Sequence, residues 1–87
     1  MSLEDLIRTA VKSEKAIIGF KRSIRFIKLN HPKLIVIANN LPKDMRKEIE
    51  HNSKMSDAEV KVFEGNSKEL GVICGKPFPV AVLVIKG

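Results

Sequence analysis

The segment Leu34–Ala38 is an unbroken apolar run, Leu-Ile-Val-Ile-Ala. A strand with one solvated face alternates apolar and polar residues, whereas a strand that is covered on both faces is apolar throughout. The run therefore predicts a central strand with a layer of structure on each side. A second run, Val80–Ile85, has the same character and predicts another strand of the same sheet.

The rest of the chain alternates between helical and extended patterns. Ser2 with Asp5, and Asn66 with Glu69, have the spacing of helix N-caps and their partners. The predicted elements are a helix after Ser2, strand 15–18, a helix from Phe20, strand 34–38, a helix from Pro42, strand 60–63, a helix after Asn66 and strand 80–85. This αβαβαβαβ order favours a mostly parallel or mixed sheet. We expect an α/β fold, a three-layer α/β/α sandwich with a four-stranded mixed sheet and helices on both faces, in a single domain of residues 1–87.

The loops that meet the strands are the expected place for function. In sheets of this class, ligands collect outside the carboxyl ends of the strands. Loops 19–23, 39–43 and 64–67 each follow a predicted strand, and loop 75–79 precedes the last one.

The chain carries a strong positive charge for its size. It has 16 lysines and arginines against 10 acidic residues, a net charge of +6 in 87 residues and a pI near 9.7. Nucleic acid is the commonest partner of so basic a chain, although a well-solvated surface gives the same composition.

The positive charge is concentrated after Gly19. This glycine lets the backbone turn sharply, and the helix that follows it offers unpaired N–H groups and a partial positive charge. Lys21, Arg25 and Lys28 share one helix face, with Arg22 beside them. Such a helix start binds anions, and it carries more charge than one small phosphate needs, which favours RNA.

Two further loops carry side chains suited to nucleotides. Asn39 and Asn40 follow the central strand, where an amide either caps a turn or helix or hydrogen-bonds a base edge. Loop 76–79, Lys-Pro-Phe-Pro, is stiff because prolines fix φ on both sides of the aromatic residue. Phe78 either fills the core or is an exposed surface on which an unpaired base packs.

Residues for metal binding and catalysis are scarce. Cys74 is the single cysteine, so no intrachain disulfide can form, and with His31 and His51 it makes no zinc-site spacing. No phosphate-loop, nucleophile-elbow or metal-ligand motif is present. We expect Cys74 to be a small core residue, and we expect no metal, no cofactor and no enzymatic activity.

The sequence also predicts the compartment. The N-terminus lacks the basic and apolar regions of a signal peptide, and no apolar run is long enough to cross a bilayer. With a single cysteine, the chain fits a reducing environment. We therefore expect a cytoplasmic protein without membrane contact.

Several segments together resemble one family. They are Ile17–Ile24, Lys33–Asn40, Phe63–Gly71 and Gly75-Lys76. In order and spacing they resemble the L30e ribosomal proteins of archaeal and eukaryotic large subunits, within the L7Ae superfamily of kink-turn RNA binders. The Gly-Asn-Ser-Lys-Glu-Leu-Gly segment is the most specific part and favours this ribosomal branch. Relatives in small nucleolar particles usually carry Asn-Glu where Arg22-Ser23 stands here.

The resemblance implies a non-enzymatic protein that binds a sharply bent ribosomal RNA among other large-subunit proteins and is a monomer when free. It implies that Gly19 and Lys21 lie against the RNA backbone and that the helix beyond them enters the groove. Asn40 would contact a base, and Phe78 would pack against unstacked nucleotides. The implied RNA-binding residues are Gly19, Lys21, Arg22, Ser23, Arg25, Asn40, Lys76, Phe78, Pro79 and Val80.

Two other functions stay open at this point. One is a kink-turn-binding protein of another ribonucleoprotein particle. The other is a small nucleotide-binding domain that uses the helix start after Gly19 as its phosphate site, which an apolar pocket beside that glycine would favour. The chain also departs from the family, because Pro79 stands where relatives often have a basic residue. One charged RNA contact would then be missing.

Overall fold

The computed structural model describes residues 2–86, along which helices and strands alternate. The elements are α1 (Leu3–Lys12), β1 (Ala16–Ile18), α2 (Phe20–Leu29), β2 (Pro32–Ile37), α3 (Lys43–Ser56), β3 (Val60–Val62), α4 (Ser67–Ile73) and β4 (Val82–Lys86). The predicted order αβαβαβαβ is confirmed. The boundaries differ from the predicted ones by one or two residues.

The strands form one mixed sheet in the order β1-β4-β2-β3. β2 and β3 are parallel, whereas β4 runs antiparallel to both β1 and β2. The carboxyl ends of β1, β2 and β3 therefore meet the start of β4 at one edge of the sheet. We call this edge, with the connections after those strands and the segment 74–81 before β4, the loop edge. The opposite ends of the strands form the far edge.

The sheet is covered on both faces. Leu34 and Val36 of β2 pack with residues of α1 and α4, whereas Ile35 and Ile37 pack with residues of α2 and α3. All four side chains are buried, and burying each contributes about 1.5–3 kcal/mol relative to exposure. The predicted three-layer sandwich with a central strand covered on both faces is confirmed.

Side-chain caps fix the starts of two helices. The Asp5 N–H donates to the Ser2 Oγ at 3.2 Å, and the Glu69 N–H donates to the Asn66 Oδ1 at 3.0 Å. Both predicted N-caps are confirmed. Pro42 is the N-cap residue of α3 rather than its first helical residue, and it makes no side-chain hydrogen bond there.

The last strand starts later than its apolar run predicts. The Val80 N–H donates to the Ser67 carbonyl at 2.9 Å, which ties this residue to α4 instead of to a neighbouring strand. β4 therefore begins at Val82. The apolar character of Val80 reflects burial under the loop edge, where only 2% of its surface is exposed.

Cys74 ends α4 and is buried in the core that α1 and α4 share. Burial raises the pKa of its thiol, and the nearby positive charge of Lys76 opposes that shift. The prediction of a core cysteine is confirmed. Within residues 2–86, no group of three His, Cys, Asp or Glu side chains is placed to hold a metal, and no helix is long and apolar enough to cross a membrane.

Candidate nucleic-acid interface

Gly19 connects β1 to α2 in a backbone conformation that only glycine adopts freely. Its φ is 112° and its ψ is 150°, and a Cβ placed there would have no atom within 4 Å apart from those of Gly19 and its two chain neighbours. Glycine is therefore required by the torsion angles and not by crowding. The Gly19 N–H donates to the Val82 carbonyl at 3.0 Å, which joins the end of β1 to the start of β4.

The N-terminus of α2 is uncapped. Gly19 supplies no side-chain hydrogen bond, and the first turn contains no acidic residue. The first helical hydrogen bond runs from the Ser23 N–H to the Gly19 carbonyl at 3.0 Å, so the N–H groups of residues 20–22 have no partner within the helix. These groups and the helix dipole leave a partial positive charge at the loop edge.

The basic side chains of α2 add full charges to this helix start. Lys21, Arg22, Arg25 and Lys28 are all exposed. Among residues 2–86, the ion pairs are Glu4–Arg8, Arg46–Glu50 and Glu59–Lys61. The basic residues of α2 have no acidic partner within this range, so their charge is available to an external anion.

Ser23 does not lie where direct RNA contact requires. Its surface is fully buried, and its Oγ has no hydrogen-bond partner among the described residues. The prediction that Ser23 contacts RNA directly is therefore corrected, because its side chain lies on the buried side of α2 with Ile24 and Ile27. The sequence contains the signal, since Ser23 follows Phe20 by three residues and precedes Ile27 by four, which places it on the apolar stripe.

Asn40 caps a helix, but not the one that follows it in sequence. Its Oδ1 accepts a hydrogen bond from the Ser67 N–H at 3.0 Å, and its Nδ2 donates to the Ser67 Oγ at 3.4 Å. Asn40 thus joins the loop after β2 to the first turn of α4. The side chain remains exposed, and its weakly held amide group can still donate to a ligand.

The loop with Phe78 is seated against α4. A Cβ on Gly71 would collide with the Phe78 carbonyl oxygen, so the glycine allows the loop backbone to approach the helix closely. No peptide bond within residues 2–86 is cis, Pro77 and Pro79 included. The Phe78 side chain is 51% exposed, and the alternative in which it fills the core is therefore wrong.

An open groove of about 520 Å³ lies between the start of α2 and the segment before β4. Arg22 and Lys76 supply basic side chains to it, and Phe78 and Pro79 are exposed along it. Val80 lines the groove beside Pro79 and Ala81, and with only 2% of its surface exposed it supports the groove from beneath. The remaining lining residues are Ala16, Ile18, Gly19, Phe20 and Ala81.

The loop edge therefore brings together an uncapped basic helix start, an exposed amide and a half-exposed aromatic ring. Lys21, Arg25 and Asn40 do not line the groove itself. Lys21 and Arg25 lie on α2, which begins at the loop edge, and Asn40 lies in the loop that follows β2 at the same edge. The sequence does not predict that Asn40 holds Ser67, since these residues are 27 positions apart in the chain.

Known proteins of one family are similar to this chain over nearly its whole length. Residues 1–87 match the model of the ribosomal protein L7Ae/L30e/S12e/Gadd45 family. It is 48% identical over 86 residues to the large ribosomal subunit protein eL30 of Methanosphaera stadtmanae, covering 99% of this chain and 88% of that protein. It is 45% identical over 85 residues to eL30 of Methanocaldococcus jannaschii, covering 98% and 77%.

Solved structures share the fold at much lower sequence identity. A 15.5 kD RNA-binding protein of Giardia lamblia superposes with a TM-score of 0.88 at 16% identity, covering 98% of this chain and 71% of that one. A Bacillus halodurans protein of unknown function gives 0.87 at 19% identity, covering 97% and 83%. These two likenesses concern the fold alone.

The predicted family resemblance and the predicted lack of enzymatic function are confirmed by the archaeal relatives, which are ribosomal proteins. The matching range and the identity over nearly the whole chain give one conclusion. The chain belongs to the ribosomal protein L7Ae/L30e/S12e/Gadd45 family.

Proposed function

We propose that this chain is a structural protein of the large ribosomal subunit that binds a kink-turn or internal-loop region of ribosomal RNA through its loop edge. The observation that carries the proposal is the uncapped start of α2, which has no acidic residue in its first turn and exposes Lys21 and Arg22. The eL30 relatives support the ribosomal setting.

Phosphate groups are the natural ligands of this helix start. The free N–H groups after Gly19 and the charges of Lys21, Arg22 and Arg25 neutralise the RNA backbone. Lys76 adds a charge from the opposite side of the groove. These contacts do not read sequence, so they position the RNA and make its binding dependent on salt.

Selection of a bent RNA rests on Asn40 and on the Phe78 loop. A straight A-form duplex keeps its bases stacked, whereas an internal loop presents unpaired bases. The exposed amide of Asn40 bonds a base edge, and the half-exposed ring of Phe78, beside Pro79, packs against an unstacked base. Ser23 and Val80 hold these elements in place from beneath.

The proposed setting is the cytoplasmic ribosome, with ribosomal RNA and other large-subunit proteins as partners and a monomer as the free form. A kink-turn particle outside the ribosome is the alternative with the same chemistry. Recovery of the chain with ribosomal subunits, or with small guide RNAs instead, distinguishes these two settings.

A second candidate follows from the groove beside Gly19. Its apolar lining and the adjacent helix start suit a mononucleotide. The groove is open along its length, however, whereas small-molecule sites bury most of their ligand. Titration with ATP under the conditions of RNA binding tests it, and millimolar or absent affinity leaves RNA as the ligand.

The deciding experiment measures binding to a kink-turn RNA and to a straight duplex of equal length at 50 and 200 mM salt. We expect tight binding to the kink-turn RNA that persists at the higher salt, and weak, salt-sensitive binding to the duplex. Equal salt-sensitive binding to both would mean that only the net charge is recognised.

Variants then separate the roles. Lys21→Ala weakens binding to both RNAs and lowers the salt slope by about 1, with Lys47→Ala on the exposed face of α3 as its control. Asn40→Ala and Phe78→Ala each cost about 1–3 kcal/mol on the kink-turn RNA only. Asn39→Ala and Leu29→Ala are matched exposed controls. Equal losses on both RNAs for all variants would contradict this division.

A further inference from the structure

Three lysines lie on neighbouring strand ends at the far edge of the sheet, opposite the proposed RNA site. The pairing of Ala16 with Ile85 places Lys15 opposite Lys86, and the Lys86 N–H donates to the Lys15 carbonyl at 2.8 Å. Lys86 also pairs with Pro32 of β2, and Lys33 follows at the bulge in that ladder. All three side chains are exposed. We call Lys15, Lys33 and Lys86 the far-edge lysines.

The far-edge lysines are costly to the folded chain alone. Like charges directly opposite each other on paired strands are destabilising. Within residues 2–86, none of the three lysines forms an ion pair. Glu14, next to Lys15 in the chain, is exposed, and Glu59 pairs with Lys61 at 4.0 Å.

The usual structural reasons for surface lysines explain only part of this cluster. Lysines in the last turn of a helix favour the helix dipole, but these three lie on or beside strands. Lysine also protects edge strands from pairing, yet Lys33 and Lys86 belong to β2 and β4, which lie inside the sheet order β1-β4-β2-β3. The cluster therefore fits an external anion better than either role.

We propose that the far-edge lysines bind the phosphate backbone of a second RNA segment, so that the protein bridges two RNA segments. Three point charges across adjacent strands suit phosphates spaced along a backbone. Lysine is depleted in protein–protein interfaces, which favours RNA over an acidic protein. Because contacts between lysine and phosphate do not read the base sequence, we expect these three lysines to bind RNA without sequence preference.

The geometry allows both segments to bind at once. β2 has six residues, which at 3.3 Å per residue separates the two edges by roughly 20 Å, about the width of a duplex. The basic face of α2 runs between the edges, since Lys21 lies in its first turn and Lys28 in its last. RNA that leaves the loop edge along the basic face of α2 would therefore meet further positive charges at the far edge.

The test uses the full chain already saturated with kink-turn RNA. A fluorescent straight duplex of 12 base pairs is added, and its anisotropy is measured at 50 and 200 mM salt. We expect a ternary complex whose affinity falls about 40-fold between these salt concentrations, as three phosphate contacts predict. Kink-turn RNA binding by the triple variant Lys15→Gln, Lys33→Gln, Lys86→Gln should be unchanged, whereas its duplex binding should lose most of its affinity and its salt slope.

A matched triple variant, Lys47→Gln, Lys54→Gln, Lys61→Gln, removes the same charge from exposed positions on α3 and β3. Equal effects of the two triple variants would overturn the proposal, as would the absence of a ternary complex. Equal binding of polyglutamate would show a general polyanion surface and would also overturn it. If kink-turn RNA fails to bind, the duplex titration is made on the free protein carrying Lys21→Gln, which tests the far edge separately from the loop edge.

Discussion

Of the helices α2, α3 and α4, which begin at the loop edge, α2 and α4 have first turns that are built in opposite ways. In α4, Asn66 accepts from the Glu69 N–H, and Asn40 accepts from the Ser67 N–H. In α2, Gly19 provides no cap, and no acidic residue stands in the first turn. A capped helix start is satisfied by the protein itself, whereas the open start of α2 is best satisfied by an anion from outside.

The capped helix α4 holds the Phe78 loop in place. Val80 donates to the carbonyl of Ser67, and the Phe78 carbonyl lies against Gly71. The α4 side of the loop edge is therefore ordered by the protein's own hydrogen bonds and packing. The α2 side keeps backbone N–H groups and positive charge without a partner among the described residues. Substitutions on the two sides should therefore affect stability with opposite signs.

The largest expected effect is on the α4 side. Gly71→Ala forces a methyl group against the Phe78 carbonyl oxygen, so either the loop or the helix must move. Overpacking of this kind costs about 1–3 kcal/mol, and we expect the upper part of that range because the collision is with backbone. Urea unfolding measures the loss, and kink-turn RNA binding should weaken with it because Phe78 is displaced.

Val72→Ala is the matched control for this prediction. Val72 is the next residue of the same helix, and its side chain is 75% exposed. Its truncation should change the free energy of unfolding by no more than about 0.5 kcal/mol. If Gly71→Ala is as mild as Val72→Ala, the Phe78 loop is not held by close approach to α4.

A smaller effect of opposite sign is expected on the α2 side. Arg22→Glu places a carboxylate at the third helical position, where it interacts favourably with the open N–H groups and the helix dipole. We expect the protein to become about 0.3–1 kcal/mol more stable while losing affinity for RNA, because a phosphate contact becomes repulsive. Thermal or urea unfolding measures the gain in stability, and kink-turn RNA binding measures the loss of affinity.

Lys68→Glu makes the same change of charge in the first turn of α4. Because that turn already contains Glu69 and two side-chain caps, the added carboxylate should stabilise the chain less than Arg22→Glu does. Equal gains from the two variants would mean that net charge, not the open helix start, determines the result. The contrast between the two helices would then be wrong.

Much of this architecture is predictable from local sequence. The unbroken run Leu34–Ala38 requires cover on two faces, and Ser2 and Asn66 mark helix starts, because these signals involve neighbouring residues. Strand order is different. Nothing in the run Val80–Ile85 indicates that the last strand lies between β1 and β2, since pairing depends on packing across the whole chain.

The candidate site shows the same division. Gly19 and the basic turn after it are readable because they are contiguous. Asn40 follows a strand and precedes a helix, so sequence spacing favours a cap on α3, whereas its partner Ser67 comes from a distant segment. Ser23 is polar among basic residues and is therefore easily taken as exposed, although its helical position places it on the buried stripe.

The smallest expected effect is the pH dependence of stability that comes from Cys74 at the C-terminus of α4. Burial raises the pKa of the Cys74 thiol, so the folded chain holds its proton more tightly than the unfolded chain does. The resulting stability is fully present below the unfolded pKa of about 8.5 and is lost as pH rises through the folded pKa.

The unfolding free energies of the natural chain and of Cys74→Ala should therefore converge, or cross, as the pH rises above the unfolded pKa of about 8.5. At neutral pH the alanine variant carries only the constant cost of a smaller core side chain. The lysines titrate in both proteins, so the difference between the two curves isolates the thiol. Parallel curves would mean that the thiolate reaches water without unfolding. The C-terminus of α4 would then open to solvent more easily than its capped N-terminus.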